Sequence, residues 1–146
     1  MSTDLTQQRV VDHAISMSAC IVVANIERSV DWYRRILGLE MIKRLDIPER
    51  GERIAFLGRG ALRLELAERT GSVGLRRADP PEHGFAQGPS HVTFYVDDLD
   101  AVLAELAAVD VKPVVGPVDV APLALRVAFI RDPEDHLIEF IQTASS

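Results

Sequence analysis

Apolar and polar positions alternate in short blocks along the chain, and each block predicts one element. Ser18 to Val23 is apolar and rich in β-branched residues, which predicts a strand. Asn25 can accept a bond from free first-turn N–H groups and start a helix. Ile26, Val30, Tyr33 and Leu37 then recur at helical spacing, and Gly38 supplies a stop. Leu39 to Ile47 reads as a second strand. Arg53 to Leu57 and Ala61 to Ala67 read as a hairpin across Gly58-Arg59-Gly60. The same series begins again at His91 to Val96. Asp98 caps a helix carrying Leu99, Val102, Leu103 and Leu106. Lys112 to Val118 is a weaker strand interrupted by Pro113 and Pro117, and Leu125 to Ile130 and His136 to Ile141 close the series.

The two series are copies. Arg53-Ile54-Ala55-Phe56-Leu57 recurs as Arg126-Val127-Ala128-Phe129-Ile130 at an offset of 73 residues. That offset also maps Ser18 onto His91, Val23 onto Val96, Asn25 onto Asp98 and Tyr33 onto Leu106; an offset of 74 maps Glu65 onto Glu139. The expected fold is therefore α+β, two paired βαβββ modules at residues 13–67 and 91–142 forming one domain. Residues 68–90 are rich in Gly, Pro and charge and hold His83 and Phe85. They read as a linker without regular structure. The tail from Thr143 is expected to fray.

Strand alternation sorts the side chains by face. Ala19, Ile21 and Val23 oppose Ser18, Cys20 and Val22. Leu62, Leu64 and Leu66 oppose Arg63 and Glu65, and Val92, Phe94 and Val96 oppose His91, Thr93 and Tyr95. The apolar faces should pack under the helices, and the mixed faces should line a concavity or meet water. Glu139 favours the concavity. It lies in Leu137-Ile138-Glu139-Phe140-Ile141, apolar on both sides, where a carboxylate is costly unless paired or coordinated. A lone Glu or His on a strand is more often a solvated or packing residue. The repeat, however, places Glu65 at the position related to Glu139 and Ser18 at the position related to His91. An approximate twofold axis then gathers all four around one point. Glu65, His91 and Glu139 are donors suited to a divalent ion such as Ni, Zn, Mn, Co or Fe, with coordination positions left for substrate. Ser18, Cys20, Val22, Arg63, Thr93 and Tyr95 are the candidate pocket residues. Cys20 is expected to be buried and inert, His13 to open the first strand, and His136 to sit in the last hairpin turn.

Composition narrows the function. The chain has 146 residues, 47% of them apolar, and a net charge of −6. No basic block is present to hold a phosphate backbone, so nucleic acid is not an expected partner. No apolar run approaches the roughly 20 residues of a membrane span. The N-terminal stretch Met1 to Asp12 does not have the pattern of a secretory signal. One cysteine permits no intrachain disulfide, and a cytoplasmic protein is expected.

Asn25 to Tyr33 with Leu37-Gly38-Leu39-Glu40 resembles the first helix of the vicinal oxygen chelate superfamily. Gly60 to Leu66 resembles its fourth strand, His91 to Asp98 the start of its second module, and Asp132 to Phe140 its last hairpin. The superfamily includes glyoxalase I, methylmalonyl-CoA epimerase, extradiol dioxygenases and bleomycin-binding resistance proteins. The resemblance implies a metal in the cleft and places its ligand positions on Ser18, Glu65, His91 and Glu139. Ser18 departs from the usual His or Glu. Retention of the fourth-strand ligand resembles the isomerase branch, in which a metal polarises a carbonyl and a carboxylate moves a proton beside it. Glu139 takes the role of base, with Glu65 as alternative, because a carboxylate withdrawn from water holds a proton more readily. The implied function is a metal-dependent glyoxalase-like lyase or isomerase acting on a small substrate with vicinal oxygens. The alternatives are a metal-free protein sequestering an aromatic or drug-like molecule, and an extradiol-type dioxygenase, against which Ser18 argues. Relatives of this size imply a homodimer.

Overall fold

A computed structural model of the chain describes residues 9–143. Most of the polar N-terminal stretch and all of the tail after Thr143 lie outside the described residues. Thr143 itself ends a strand rather than fraying. The first module comprises β1 (Ala19–Val23), α1 (Ile26–Arg35), β2 (Glu40–Ile47), β3 (Glu52–Arg59) and β4 (Leu62–Arg69). The second comprises β5 (Val92–Val96), α2 (Leu99–Ala107), β6 (Val115–Val120), β7 (Leu125–Arg131) and β8 (Leu137–Thr143). Each module folds its strands into a four-stranded sheet of the same order, β1-β4-β3-β2 and β5-β8-β7-β6. In both, the first strand runs parallel to the last. This is the expected α+β pairing of two βαβββ modules.

The repeat extends to individual hydrogen bonds. Asn25 Oδ1 accepts from the Arg28 N–H at 3.0 Å, and Asp98 Oδ1 accepts from Ala101 at 3.0 Å. The first N–H of each helix is held by a side chain from the last strand of its module, Ile26 by Glu68 at 2.8 Å and Leu99 by Gln142 at 2.6 Å. These bonds satisfy donors that a helix leaves unpaired at its start. Gly38, at φ +77°, turns the chain out of α1 into β2.

Both helices pack on the apolar sheet faces. Val23, Ala55, Leu57, Leu64 and Leu66 meet Ile26, Val30 and Tyr33, and Ala128, Ile130, Ile138 and Phe140 continue the same buried cluster with Leu99 and Leu106. Polar ties join the modules. Tyr33 donates to Asp132 at 2.7 Å, and Glu134 accepts from the Ala24 and Asn25 N–H groups at 2.6 and 2.9 Å. A carboxylate there also suits the positive end of α1.

Three local expectations are corrected. His13 ends a short 3-10 turn, Val10–His13, and is exposed, so it does not open β1. The sixth strand begins at Val115, after Pro113, and accommodates Pro117 at a break in register between Val115 and Val118. Proline has no N–H for the ladder, and a bulge is where a strand tolerates it. The linker is also structured: β4 runs on to Arg69, and Glu82–Phe85 forms a 3-10 turn.

Candidate metal and substrate site

Glu139 stands on β8 opposite Thr93 of β5 and Phe129 of β7. Its side chain is 13% exposed. Thr93 donates to Oε1 at 3.3 Å, and His91 Nε2 lies 3.7 Å from Oε2. The other ring nitrogen of His91, Nδ1, is 3.0 Å from the Ser90 hydroxyl. Burial holds the pKa of His91 below that of an ordinary imidazole, with the charge of Glu139 opposing and His83 and Arg77 adding to the depression. The imidazole is thus neutral near pH 7, the form that binds metals.

The linker roofs this face. The His83 ring meets Phe129 edge-on with centroids 5.3 Å apart and lies 5.5 Å from His91; His91 in turn meets Phe129 at 5.2 Å. Arg77 fastens the strap from within. Its guanidinium donates to the carbonyls of His83, Ala86, Gln87 and Pro89 at 2.6 to 3.2 Å. Arg131 of β7 ties it down again through Asp79, at 2.5 Å, and through the Arg77 carbonyl, at 2.9 Å. The sequence placed His83 in the linker and Phe129 in the repeat without a role at the site, and Arg77 was not singled out. The signals available were a long segment between modules carrying His and Phe, and the length itself.

Glu65 is placed differently. It sits on β4 opposite Cys20 of β1 and Phe56 of β3, half-buried on the first sheet. Cys20 is exposed rather than buried as expected. Its thiol pKa is raised by partial burial first and by the Glu65 carboxylate second. Among the described residues, no three His, Cys, Asp or Glu side chains converge closely enough to hold an ion. Gathering Glu65, His91 and Glu139 within one chain is therefore not what the fold does. It unites His91 with Glu139 and leaves Glu65 on the other sheet.

The pocket residues divide in the same way. Cys20, Val22 and His91 line a cleft of about 1150 Å³ together with His83, Arg77, Phe85 and His136. Ser18 and Arg63 line a separate hollow of about 230 Å³ with Phe56 and Leu64. Thr93 lines neither but holds Glu139, and Tyr95 is 74% exposed at the open edge strand β5. His136 does lie in the turn before β8, its Nδ1 2.9 Å from the buried Asp132 carboxylate.

The sequence profile of the Glyoxalase/Bleomycin resistance protein/Dioxygenase superfamily matches residues 10–140. The chain belongs to that superfamily. A lactoylglutathione lyase of Haemophilus influenzae is 32% identical over 130 residues, covering 85% of this chain and 89% of that protein. The mitochondrial methylmalonyl-CoA epimerase of Mus musculus is 30% identical over 91 residues, 59% of this chain and 48% of that protein. The structure of glyoxalase I from Leishmania major superposes with a TM-score of 0.65 at 23% identity, covering 86% of this chain and 84% of that one. That structure shares the fold. Superfamily relatives named as lyase and epimerase thus match this chain, and the last expected hairpin, Asp132 to Phe140, carries both the module tie and Glu139. No helix among the described residues is long and apolar enough to cross a membrane.

Proposed function

We propose that residues 13–142 act as one unit, a divalent-metal-dependent lyase or isomerase for a small substrate with vicinal oxygens, working as a homodimer. The observation that carries this reading is the pair His91 and Glu139, 3.7 Å apart on a covered sheet face. The donor set fits: a neutral imidazole and a shielded carboxylate suit Ni, Zn, Mn, Co or Fe. Glu65, the equivalent carboxylate of the first module, lies on a separate, more open face and is supplied by a second copy of the chain. A divalent ion held by these three residues supplies polarisation of a substrate carbonyl.

The chain's own groups do the rest. Thr93 holds Oε1 of Glu139 and so orients the carboxylate that would take a proton from the carbon beside the carbonyl and return it to the neighbouring carbon. The strap carrying His83 keeps water from this carboxylate, and Arg77 holds the strap in place. Similarity to lactoylglutathione lyases favours a thiol-linked 2-hydroxyacyl product.

Elemental analysis of untagged protein, purified without chelator, should find one metal per site. Lactoylglutathione formation should fall by about 100-fold or more in Glu139→Gln. Glu65→Gln and Glu139→Gln chains, each inactive alone, should regain activity when mixed, because a mixed dimer contains one intact site. Metal binding without rescue would place the site within one chain. A second reading, a metal-free protein sequestering an aromatic molecule, draws on the large cleft and on Leu75 and Phe85, 90% and 89% exposed at its wall. Tight ligand binding by metal-free protein without turnover would favour it.

A further inference from the structure

We propose that His83 is a further metal ligand of the site, occupying the coordination position that Ser18 leaves without a strong donor. The inference rests on the reading of His91 and Glu139 as ligands and adds a residue outside the repeat to them. Ser18 is poorly suited to the task. Its hydroxyl is exposed, donates to the adjacent Ala19 carbonyl at 3.2 Å, and is a far weaker donor to a divalent ion than an imidazole or carboxylate.

His83 has the attributes that Ser18 lacks. It lines the same cleft as His91 and lies over the sheet face that bears Glu139. Its Nδ1 is buried with no hydrogen-bond partner among the described residues. Leaving a buried polar atom of this kind without a partner costs stability and calls for a reason. Packing alone is a weak reason, because a phenyl ring would cover Phe129 equally well at no such cost. The spacing supplies a better one. Metal–imidazole bonds are about 2.0–2.1 Å long, so two rings on one ion at ordinary coordination angles have centres roughly 5 Å apart. His83 and His91 are 5.5 Å apart with their planes tilted by 51°. Among the described residues the two rings and Glu139 do not close on a point, so coordination of one ion by all three would require the rings to turn toward it. Arg77 holds the His83 backbone carbonyl at 3.1 Å, and the Asp79–Arg131 pair anchors the strap upstream. The segment that delivers the imidazole is therefore braced on both sides.

The test uses Co(II) titrated into chelator-treated full-length protein, read by calorimetry and by the visible spectrum of the bound ion. His83→Phe keeps the ring packing and removes the donor; His83→Gln keeps a polar side chain and guards against misfolding of the first variant. Both should weaken Co(II) binding by about 10-fold or more, the scale seen when groups that support a metal centre are lost, and both should alter the spectrum. Adding Ser18→His to His83→Phe should recover affinity. Wild-type affinity and spectrum in both variants would overturn the role of His83 and leave His91 and Glu139 standing. No Co(II) binding by the wild-type protein would overturn both readings together.

Discussion

Phe56 and Phe129 occupy the same place in the two modules, each facing the strand carboxylate of its sheet, yet Phe56 is half-buried and Phe129 is 6% exposed. The contrast extends along both sheets. In β7, four consecutive residues, Val127 to Ile130, are buried, so both faces are covered; in β3, burial is concentrated on the helix side. The strap from Arg77 to Ser90 contributes to the difference, since its His83 ring packs on Phe129 and its Asp79 pairs with Arg131 of β7. Duplication thus supplied two equivalent carboxylates, and the linker gave them unequal surroundings. Glu139 gained a hydroxyl, an imidazole and a roof, while Glu65 gained a thiol and an open face.

Paired truncations should break or sharpen this comparison most strongly. Phe129→Ala should destabilise the protein by about 3–5 kcal/mol, and Phe56→Ala by about 1–2 kcal/mol, because less apolar surface leaves water at the half-buried site. Urea midpoints at one protein concentration measure both, and equal losses would mean that the two faces are equally covered. Arg77→Ala comes next. It removes charge-assisted bonds to four strap carbonyls and should cost about 2 kcal/mol. Hydrogen exchange should rise in the strap and β5 while β1 and β4 stay protected.

A smaller effect concerns the tie between modules. The hydrogen bond to Asp132 raises the pKa of His136 against the opposing effect of burial. Burial alone would raise Asp132, but bonds from His136 and Tyr33 hold it below the usual carboxylate value. A raised imidazole pKa adds stability that is complete below the unfolded value of 6.5 and is lost as pH rises through the folded value. The lowered carboxylate adds stability present above 3.8 and lost as pH falls through its folded value. The pair therefore contributes most between those limits. Between about pH 6 and 9, the melting temperature of the wild type should fall more than that of His136→Gln. The smallest effect falls on the open half. The Glu65 charge helps to raise the Cys20 pKa, so Glu65→Gln should speed alkylation of Cys20 a few-fold near neutral pH. An unchanged rate would mean that burial alone sets the thiol.

Much of the fold was legible before any coordinates. Ile26, Val30 and Tyr33 recur at helical spacing, Asn25 and Asp98 cap as their chemistry requires, and the 73-residue offset is printed in the chain. These are local signals, carried by periodicity and by the few residues that satisfy helix ends. The apolar run around Glu139 likewise announced a shielded carboxylate, and the structure covers it. His83 could not be read in the same way, because no periodicity marks a strap, and its place depends on Arg77 and Arg131 reaching across 54 residues of sequence.

The amino-acid order by itself determined two βαβββ modules, their helix caps and the matching positions of Glu65 and Glu139, because each follows from neighbours within one module. Only the tertiary structure decided that His91 and Glu139 meet while Glu65 faces elsewhere, that Cys20 is exposed, and that the linker roofs one sheet. Those outcomes depend on how two finished modules and the chain between them pack, and packing across such distances is set by shape and burial that no local pattern encodes.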